Sequence, residues 1–253
     1  MILPDSFLTK SRQHSVSHKN IAGFPKYVIG SYNVISGKSA WTSFTKGAWT
    51  NESFLSRLFA REEKISLQEK GSFSFAGPNG DTAFVTSATY TVLSYSDRSG
   101  NIIRSSRAPK EYTGGLANYI AIIQTNLDTT TWTLHTTIKE IPEEKIFGIS
   151  KKRYQFEGTI SNGNRRIALK EVEQFHDGKK SIAPGLLGLT FEEEGIAAAV
   201  QFNTGSLKKD SRHFVWLRSG LSSSMQLVLT TVAAALLARE EEMNGKDLEA
   251  VGF

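Results

Sequence analysis

The chain has 253 residues, 39% of them hydrophobic and 22% charged, a composition typical of a folded soluble protein. It contains no cysteine, which excludes disulfides, thiolate metal sites and a thiol nucleophile. The formal net charge of +5 permits attraction to anionic surfaces without requiring it.

The first part of the chain is polar, and residues 1–23 show no apolar periodicity. We therefore expect a flexible arm there, followed by a single β-rich domain over residues 24–253 with a weak midpoint near 142–150. The start of the chain has no continuous apolar run like that of a secretory signal. This favours a cytoplasmic protein that is at most peripheral to a membrane.

From residue 26 onward, segments rich in Val, Ile, Thr and aromatic residues alternate with Gly, Asn and Asp, as in strands joined by turns. Asn79-Gly80 and Asn162-Gly163 are typical of tight hairpin turns, because both residue types tolerate positive φ. The predicted strands are 26–35, 40–48, 65–68, 71–76, 82–95, 101–105, 129–141, 154–161, 165–175, 186–191, 196–203 and 213–217. We also predict turns at 36–38 and 97–100, a long connection over 106–118, an amphipathic helix over 52–60, and either helix or strand over 116–124.

A nearly all-apolar stretch, Ser222–Arg239, predicts a buried C-terminal helix with serines available as its N-cap. The apolar run is about 14 residues, shorter than the roughly 20 that a bilayer requires, so we expect it in a protein core. A helix of about 18 residues is about 27 Å long, which matches the height of a tilted barrel strand. The predicted fold is therefore mainly β: an antiparallel, barrel-like sheet of about twelve strands around the helix, or an open sheet against it.

The second half of the chain resembles a known superfamily. Tyr154-Gln-Phe-Glu-Gly158 opens a hairpin, and Phe214-Val-Trp-Leu-Arg218 is a last strand that leads into the apolar helix. This arrangement, over roughly Tyr154–Glu240, resembles the tubby C-terminal domain and its relatives, the phospholipid scramblases and LURP-one-related proteins. The resemblance implies a twelve-stranded barrel around the helix and, as in some members, binding of phosphoinositide head groups by basic residues. It assigns that role to no particular residue of this chain, and a shared fold does not fix function.

Two enzymatic interpretations are the least favoured. Residues 220–224, Gly-Leu-Ser-Ser-Ser, follow a strand and open a helix like the nucleophile elbow of α/β-hydrolases, but serine replaces the last glycine and no histidine follows. His135, His176 and His213 lie on separate predicted segments, and the sequence fixes no carboxylate beside them, so we predict no shared metal. We also expect no cofactor.

Basic clusters in the second half carry the leading functional hypothesis. The candidate anion-binding residues are Lys151, Lys152, Arg153, Arg165, Arg166, Lys179 and Lys180. Those beside the predicted hairpin could share one end or face of a barrel and bind lipid phosphates, each charge contributing about 1 kcal/mol near an anionic membrane. We therefore predict a noncatalytic binding module for an anionic membrane surface, a phosphoinositide or a protein partner. The alternative is a lipocalin-like carrier of an apolar small molecule. Nucleic acid is disfavoured, because the aromatic residues are not interleaved with the basic ones.

Overall fold

Twelve antiparallel strands, two α-helices and one turn of 3-10 helix (Pro78–Gly80) are found in the part of the chain that the structure describes. This computed structural model describes residues 3–21, 24–46, 61–97, 110–141, 153–172, 187–202 and 213–239. The helices are α1 (Asp5–Leu8), a single turn, and α2 (Ser223–Leu237). The strands are β1 (Ser11–Ile21), β2 (Phe24–Ile29), β3 (Tyr32–Lys46), β4 (Arg61–Ala76), β5 (Thr82–Asp97), β6 (Lys110–Thr125), β7 (Thr131–Ile141), β8 (Arg153–Ser161), β9 (Arg166–Val172), β10 (Gly188–Glu192), β11 (Ile196–Gln201) and β12 (Phe214–Arg218).

The strands close into a barrel because each pairs with its neighbour in sequence and β1 pairs with β12. The pairing of β1 is divided: Ser11–Ser15 pair with β12, whereas Val16–Ile21 pair with β2. Gly80 at φ 81° and Gly163 at φ 88° lie in the β4–β5 and β8–β9 turns, where the two Asn-Gly pairs predicted hairpins. The prediction of a mainly antiparallel barrel of about twelve strands with a C-terminal helix is confirmed.

Alternating side chains divide each strand between the lumen and the outer surface. In β6, Tyr119, Ala121 and Ile123 are buried, whereas Ile120 and Ile122 between them are exposed. The buried apolar inward side chains of β2–β12 belong to one cluster. The core of the protein therefore lies inside the barrel.

Helix α2 occupies the lumen of this barrel. Every residue from Leu227 to Leu237 is buried, over about three helical turns, so no face of this part of the helix meets solvent. These residues belong to the same cluster as the inward side chains of the strands. A helix on an open sheet, or on the outside of a barrel, would leave one face exposed. The described residues include no helix that could span a bilayer.

The polar groups of α2 find partners within the protein. Ser222 Oγ accepts a hydrogen bond from the Met225 backbone N–H at 3.3 Å, which is the N-cap that the sequence predicted. The Thr231 hydroxyl donates to a carbonyl one turn earlier at 2.7 Å. At the far end, the Tyr27 hydroxyl donates to the Leu237 carbonyl at 3.0 Å and ties the helix to β2.

The polar N-terminal segment is part of the barrel wall, which differs from the flexible arm expected over residues 1–23. Strand β1 lies between β12 and β2, and Leu3 and Phe7 beside it are buried against Trp216. Of the described side chains of β1, Val16 packs against the core and most of the others are polar. Backbone pairing with distant strands holds the segment, so an apolar pattern could not reveal it.

Several predicted boundaries differ from the structure. The predicted strand 26–35 is interrupted at Gly30-Ser31, which separates β2 from β3, and the turn predicted at 36–38 lies inside β3. Strand β6 begins at Lys110, within the predicted connection, so 116–124 is strand rather than helix. The helix predicted over 52–60 and the midpoint at 142–150 lie outside the described residues.

Replacing Gly30 by alanine tests the β2–β3 turn. A Cβ there would lie 2.3 Å from His14 Nδ1, and φ is +62°, where a side chain is strained. We expect Gly30→Ala to lower the free energy of unfolding by about 2–4 kcal/mol, from overpacking and the left-handed backbone together. Gly163 has φ +88° and no atom within 4 Å of an added Cβ. Gly163→Ala should therefore lower the free energy of unfolding only by the cost of a left-handed backbone at alanine. Urea unfolding of both variants measures the difference, and equal losses would show that His14 moves aside freely.

Candidate functional site

The structure divides the described members of the basic candidate set between the two ends of β8. Arg153 is the first residue of β8, whereas Arg165 and Arg166 follow its last residue, at the β8–β9 turn. Nine residues of extended strand separate these positions by about 26 Å. The structure therefore brings Arg165 and Arg166 together and places Arg153 at the other end of the strand. The remaining candidates lie outside the described residues: Lys151, Lys152, Lys179 and Lys180.

Arg165 is held by a carboxylate. Its Nε and a terminal nitrogen donate to the two oxygens of Glu193 at 2.9 and 2.5 Å, and its guanidinium lies 5.8 Å from the centroid of the Trp132 ring. Hydrogen bonding to Arg165 lowers the pKa of the Glu193 carboxyl. Lys170 and Glu192 form a further ion pair between β9 and β10. Arg165 therefore links two turns of the barrel, and its charge is already balanced.

The described histidines do not form a metal site. His135 is exposed on the outer face of β7, while His213 is buried just before β12. His176 lies outside the described residues. Among the residues that the structure describes, no three histidine or acidic side chains come close enough together to hold a metal ion.

Large apolar side chains are exposed together on one part of the wall. Phe84 and Tyr90 on β5 are each 47% exposed, and Ile120 and Ile122 on the neighbouring β6 are 45% and 43% exposed. The β5–β6 register places the two isoleucines between the levels of Phe84 and Tyr90, so the four side chains form one patch. We call the outer surface formed by this patch and by the outward side chains of the neighbouring strands β4 and β7 the β4–β7 face.

Each strand next to the apolar patch carries a lysine. Lys70 on β4 pairs with Ala88, whose partner on the other side is Ile120, and Lys139 on β7 pairs with Leu116, just beyond the level of Tyr90. Both lysines are exposed. None of the other described outward side chains of β4–β7 is acidic. The face therefore has an apolar centre and cationic margins.

A second outward apolar patch is covered by the chain itself. Phe214 and Trp216 on β12 and Ala199 on β11 pack against Leu3 and Phe7 of the N-terminal segment, leaving Trp216 only 9% exposed. No described element covers the β4–β7 face in this way. Single exposed apolar residues are ordinary on protein surfaces, but a contiguous uncovered group is typical of an interaction site.

A polar layer crosses the lumen next to the C-terminal end of α2. The layer consists of four inward residues, one on each of β4–β7, and each is paired with the next across the sheet: Glu69, Thr89, Tyr119 and Thr136. The Arg239 guanidinium lies 4.5 Å from the centroid of the Tyr119 ring. Burial raises the pKa of the Tyr119 phenol. It also lowers the pKa of Arg239, an effect that Tyr119 and the Glu69 carboxylate oppose. The Tyr119 ring and the Glu69 carboxylate therefore compensate the charge of Arg239 inside the lumen.

Sequence reasoning missed the β4–β7 face, although one signal was present. Residues 119–123, Tyr-Ile-Ala-Ile-Ile, are apolar at inward and outward positions alike, where a half-exposed strand should alternate with polar residues. That pattern indicates either a strand covered on both faces or one with an interaction surface. Lys70 and Lys139 gave no signal, because each stands apart from other cations along the outer face of its strand.

No protein-family model matches the chain, and no curated protein or solved structure matches it either. The resemblance to tubby-like domains therefore stays a prediction, and function has to be argued from the residues themselves.

Proposed function

We propose that the protein is a noncatalytic binding module that attaches to anionic lipid surfaces through its β4–β7 face. The observation that carries this proposal is an uncovered apolar patch with Lys70 and Lys139 on the two neighbouring strands, and with no acidic residue among the described outward side chains of β4–β7. Each lysine contributes about 1 kcal/mol of attraction near an anionic membrane. The formal net charge of +5 adds a long-range attraction of the same sign.

The filled lumen supports a site on the outer wall. Leu227–Leu237 pack against the inward apolar side chains around them, and protein interiors hold few voids larger than a water molecule. A lipocalin-like carrier needs a lumen that is open to cargo, and α2 leaves no such room at its own level. This disfavours the carrier alternative for the part of the lumen that α2 occupies.

A protein partner is the second candidate for the same face. Exposed Tyr90 and Phe84 would suit a protein interface, where aromatic residues are enriched. Lysine is depleted in such interfaces, whereas lysines beside apolar groups are typical of proteins that bind at membrane surfaces. The lysines therefore favour lipid over protein.

Removing the flanking charges tests the proposal. We expect the double variant Lys70→Gln and Lys139→Gln to bind vesicles about 30-fold more weakly than the wild type, because two charges contribute about 2 kcal/mol. Co-sedimentation at low salt, with vesicles of equal amounts of phosphatidylcholine and phosphatidylserine, measures the affinity. Vesicles of phosphatidylcholine alone give the background, and addition of a phosphoinositide tests preference among head groups.

A matched control removes two positive charges from a different part of the barrel surface. Arg166 and Lys170 are exposed on β9, so Arg166→Gln with Lys170→Gln alters the net charge equally and should leave binding near the wild-type level. If this control binds more weakly than the β4–β7 variant, the lipid contact lies near the β8–β9 turn, as the basic clusters predicted. If the wild type does not bind anionic vesicles at low salt, the proposal is wrong and a protein partner becomes the better interpretation of the face.

A further inference from the structure

We infer that the barrel lies on its side on the bilayer with β5 and β6 lowest, so that Phe84, Tyr90, Ile120 and Ile122 enter the boundary between head groups and acyl chains. This inference rests on the proposed function and goes further, because attraction between opposite charges would hold the protein near the membrane without fixing its orientation. Three features of the β4–β7 face fix the orientation: its length, its curvature and its lateral order.

The first feature is the extent of the patch along the strands. Phe84 and Tyr90 lie on the same face of β5, six residues and therefore about 20 Å apart, with the isoleucines of β6 between their levels. A barrel standing on one end could bring only one end of this row to the membrane. A barrel lying on its side brings all four side chains to one plane.

The second feature is the curvature of the wall. Twelve strands about 4.8 Å apart and tilted by about 40° give a radius of about 12 Å, with neighbouring strands rotated by about 30°. Side chains extend the radius by about 5 Å. For a flat plane that touches the side-chain tips of β5 and β6, the tips of β4 and β7 lie about 4–5 Å above the plane. The tips of β3 and β8 lie about 12 Å above it. A flat membrane therefore meets four strands.

The third feature is the order of residues across those four strands. The lowest strands carry the apolar patch, and the two strands set back from the plane carry Lys70 and Lys139. Apolar groups of interfacial proteins are buried about 5–10 Å into the boundary, while long lysine side chains reach back to the phosphates. Tyr90 adds an amphipathic ring of the kind found at membrane interfaces. The outward carboxylate of Glu157 lies on β8, away from the membrane plane.

The absence of cysteine makes depth measurement direct, since one engineered cysteine gives a unique label. The positions are Thr86 on β5, Gln68 on β4 and Gln155 on β8, which are all exposed. Each is changed to cysteine, labelled with a small environment-sensitive fluorophore, and bound to vesicles of equal phosphatidylcholine and phosphatidylserine. Nitroxide lipids then quench the label from the head group or from the upper acyl chain.

We expect the label at residue 86 to be quenched most by acyl-chain nitroxides, the label at residue 68 most by head-group nitroxides, and the label at residue 155 by neither. As a second test, Ile120→Ser with Ile122→Ser should weaken vesicle binding about tenfold or more, because both side chains leave water on docking. Both isoleucines face solvent, so the urea midpoint of this variant should stay close to that of the wild type.

The outcomes separate the orientation from the proposed function. If vesicles bind but quenching is the same at all three positions, the side-lying orientation is wrong and the lipid-binding function stands. Binding that responds to Lys70→Gln and Lys139→Gln but not to the isoleucine changes would overturn insertion in the same way. If the unlabelled wild type does not bind these vesicles, both the function and the orientation are wrong.

Discussion

Ala234→Asp should abolish the native fold. Ala234 is 1% exposed, at the centre of the apolar cluster between α2 and the barrel wall. An unpaired charge in such a place destabilises a protein by about 3–5 kcal/mol or more, and a protonated carboxyl would still be buried without hydrogen-bond partners. Typical domains are stable by about 5–15 kcal/mol in total. We therefore expect an insoluble product, or a protein without a cooperative urea transition or near-ultraviolet circular dichroism.

The same substitution one turn later is the matched control. Ala238 is exposed at the C-terminal cap of α2, so the aspartate of Ala238→Asp is solvated. Its repulsion from the negative end of the helix dipole should lower the free energy of unfolding by only about 0.3–1 kcal/mol. This variant should fold normally. A cooperatively folded Ala234→Asp protein with a wild-type urea midpoint would contradict the enclosure of α2 by the barrel.

Deletion of residues 1–21 should also abolish the native fold, as Ala234→Asp does. The deletion removes β1 and leaves β2 and β12 as unpaired edges on either side of an opened lumen. Unpaired strand edges pair with other chains, so we expect aggregation as well as loss of cooperative unfolding. Soluble yield and urea unfolding report the two effects separately.

Deletion of residues 1–10 isolates the contribution of β1. It removes α1 with Leu3 and Phe7, which uncovers Trp216, but it leaves the closing strand in place. We expect a folded protein that is less stable by about 3–6 kcal/mol, because burial of Leu3 and of Phe7 contributes about 1.5–3 kcal/mol each. If the longer deletion is as stable as the shorter one, β1 does not close the barrel.

The parts of this fold that could be predicted from sequence are those with local signals. The apolar run of α2 excluded a surface helix, and Ser222 marked its start by the chemistry of the cap. Asn79-Gly80 and Asn162-Gly163 marked two hairpin turns, because positive φ is a property of the residues themselves. Each of these inferences needed only residues adjacent in sequence.

The missed parts depend on distant partners. Strand β1 is polar because its backbone is held by β12 and β2, so its own composition resembles that of a loop. The break at Gly30-Ser31 lacks an Asn-Gly pair and lies within an otherwise strand-like segment. Lys70 and Lys139 lie on the same face only because of the registers of β4–β7. The candidates predicted from sequence are instead cations that are clustered along the chain.

The divided pairing of β1 has a consequence for the order of assembly. Ser11–Ser15 pair with a strand about two hundred residues away, which makes closure the longest-range and slowest-forming contact in the barrel. Helix α2 follows β12, so the element that fills the lumen is synthesised after the complete wall. A barrel sealed before α2 entered would be hollow and would exclude its own core. We therefore expect β1 to pair with β12 only after α2 has entered the lumen.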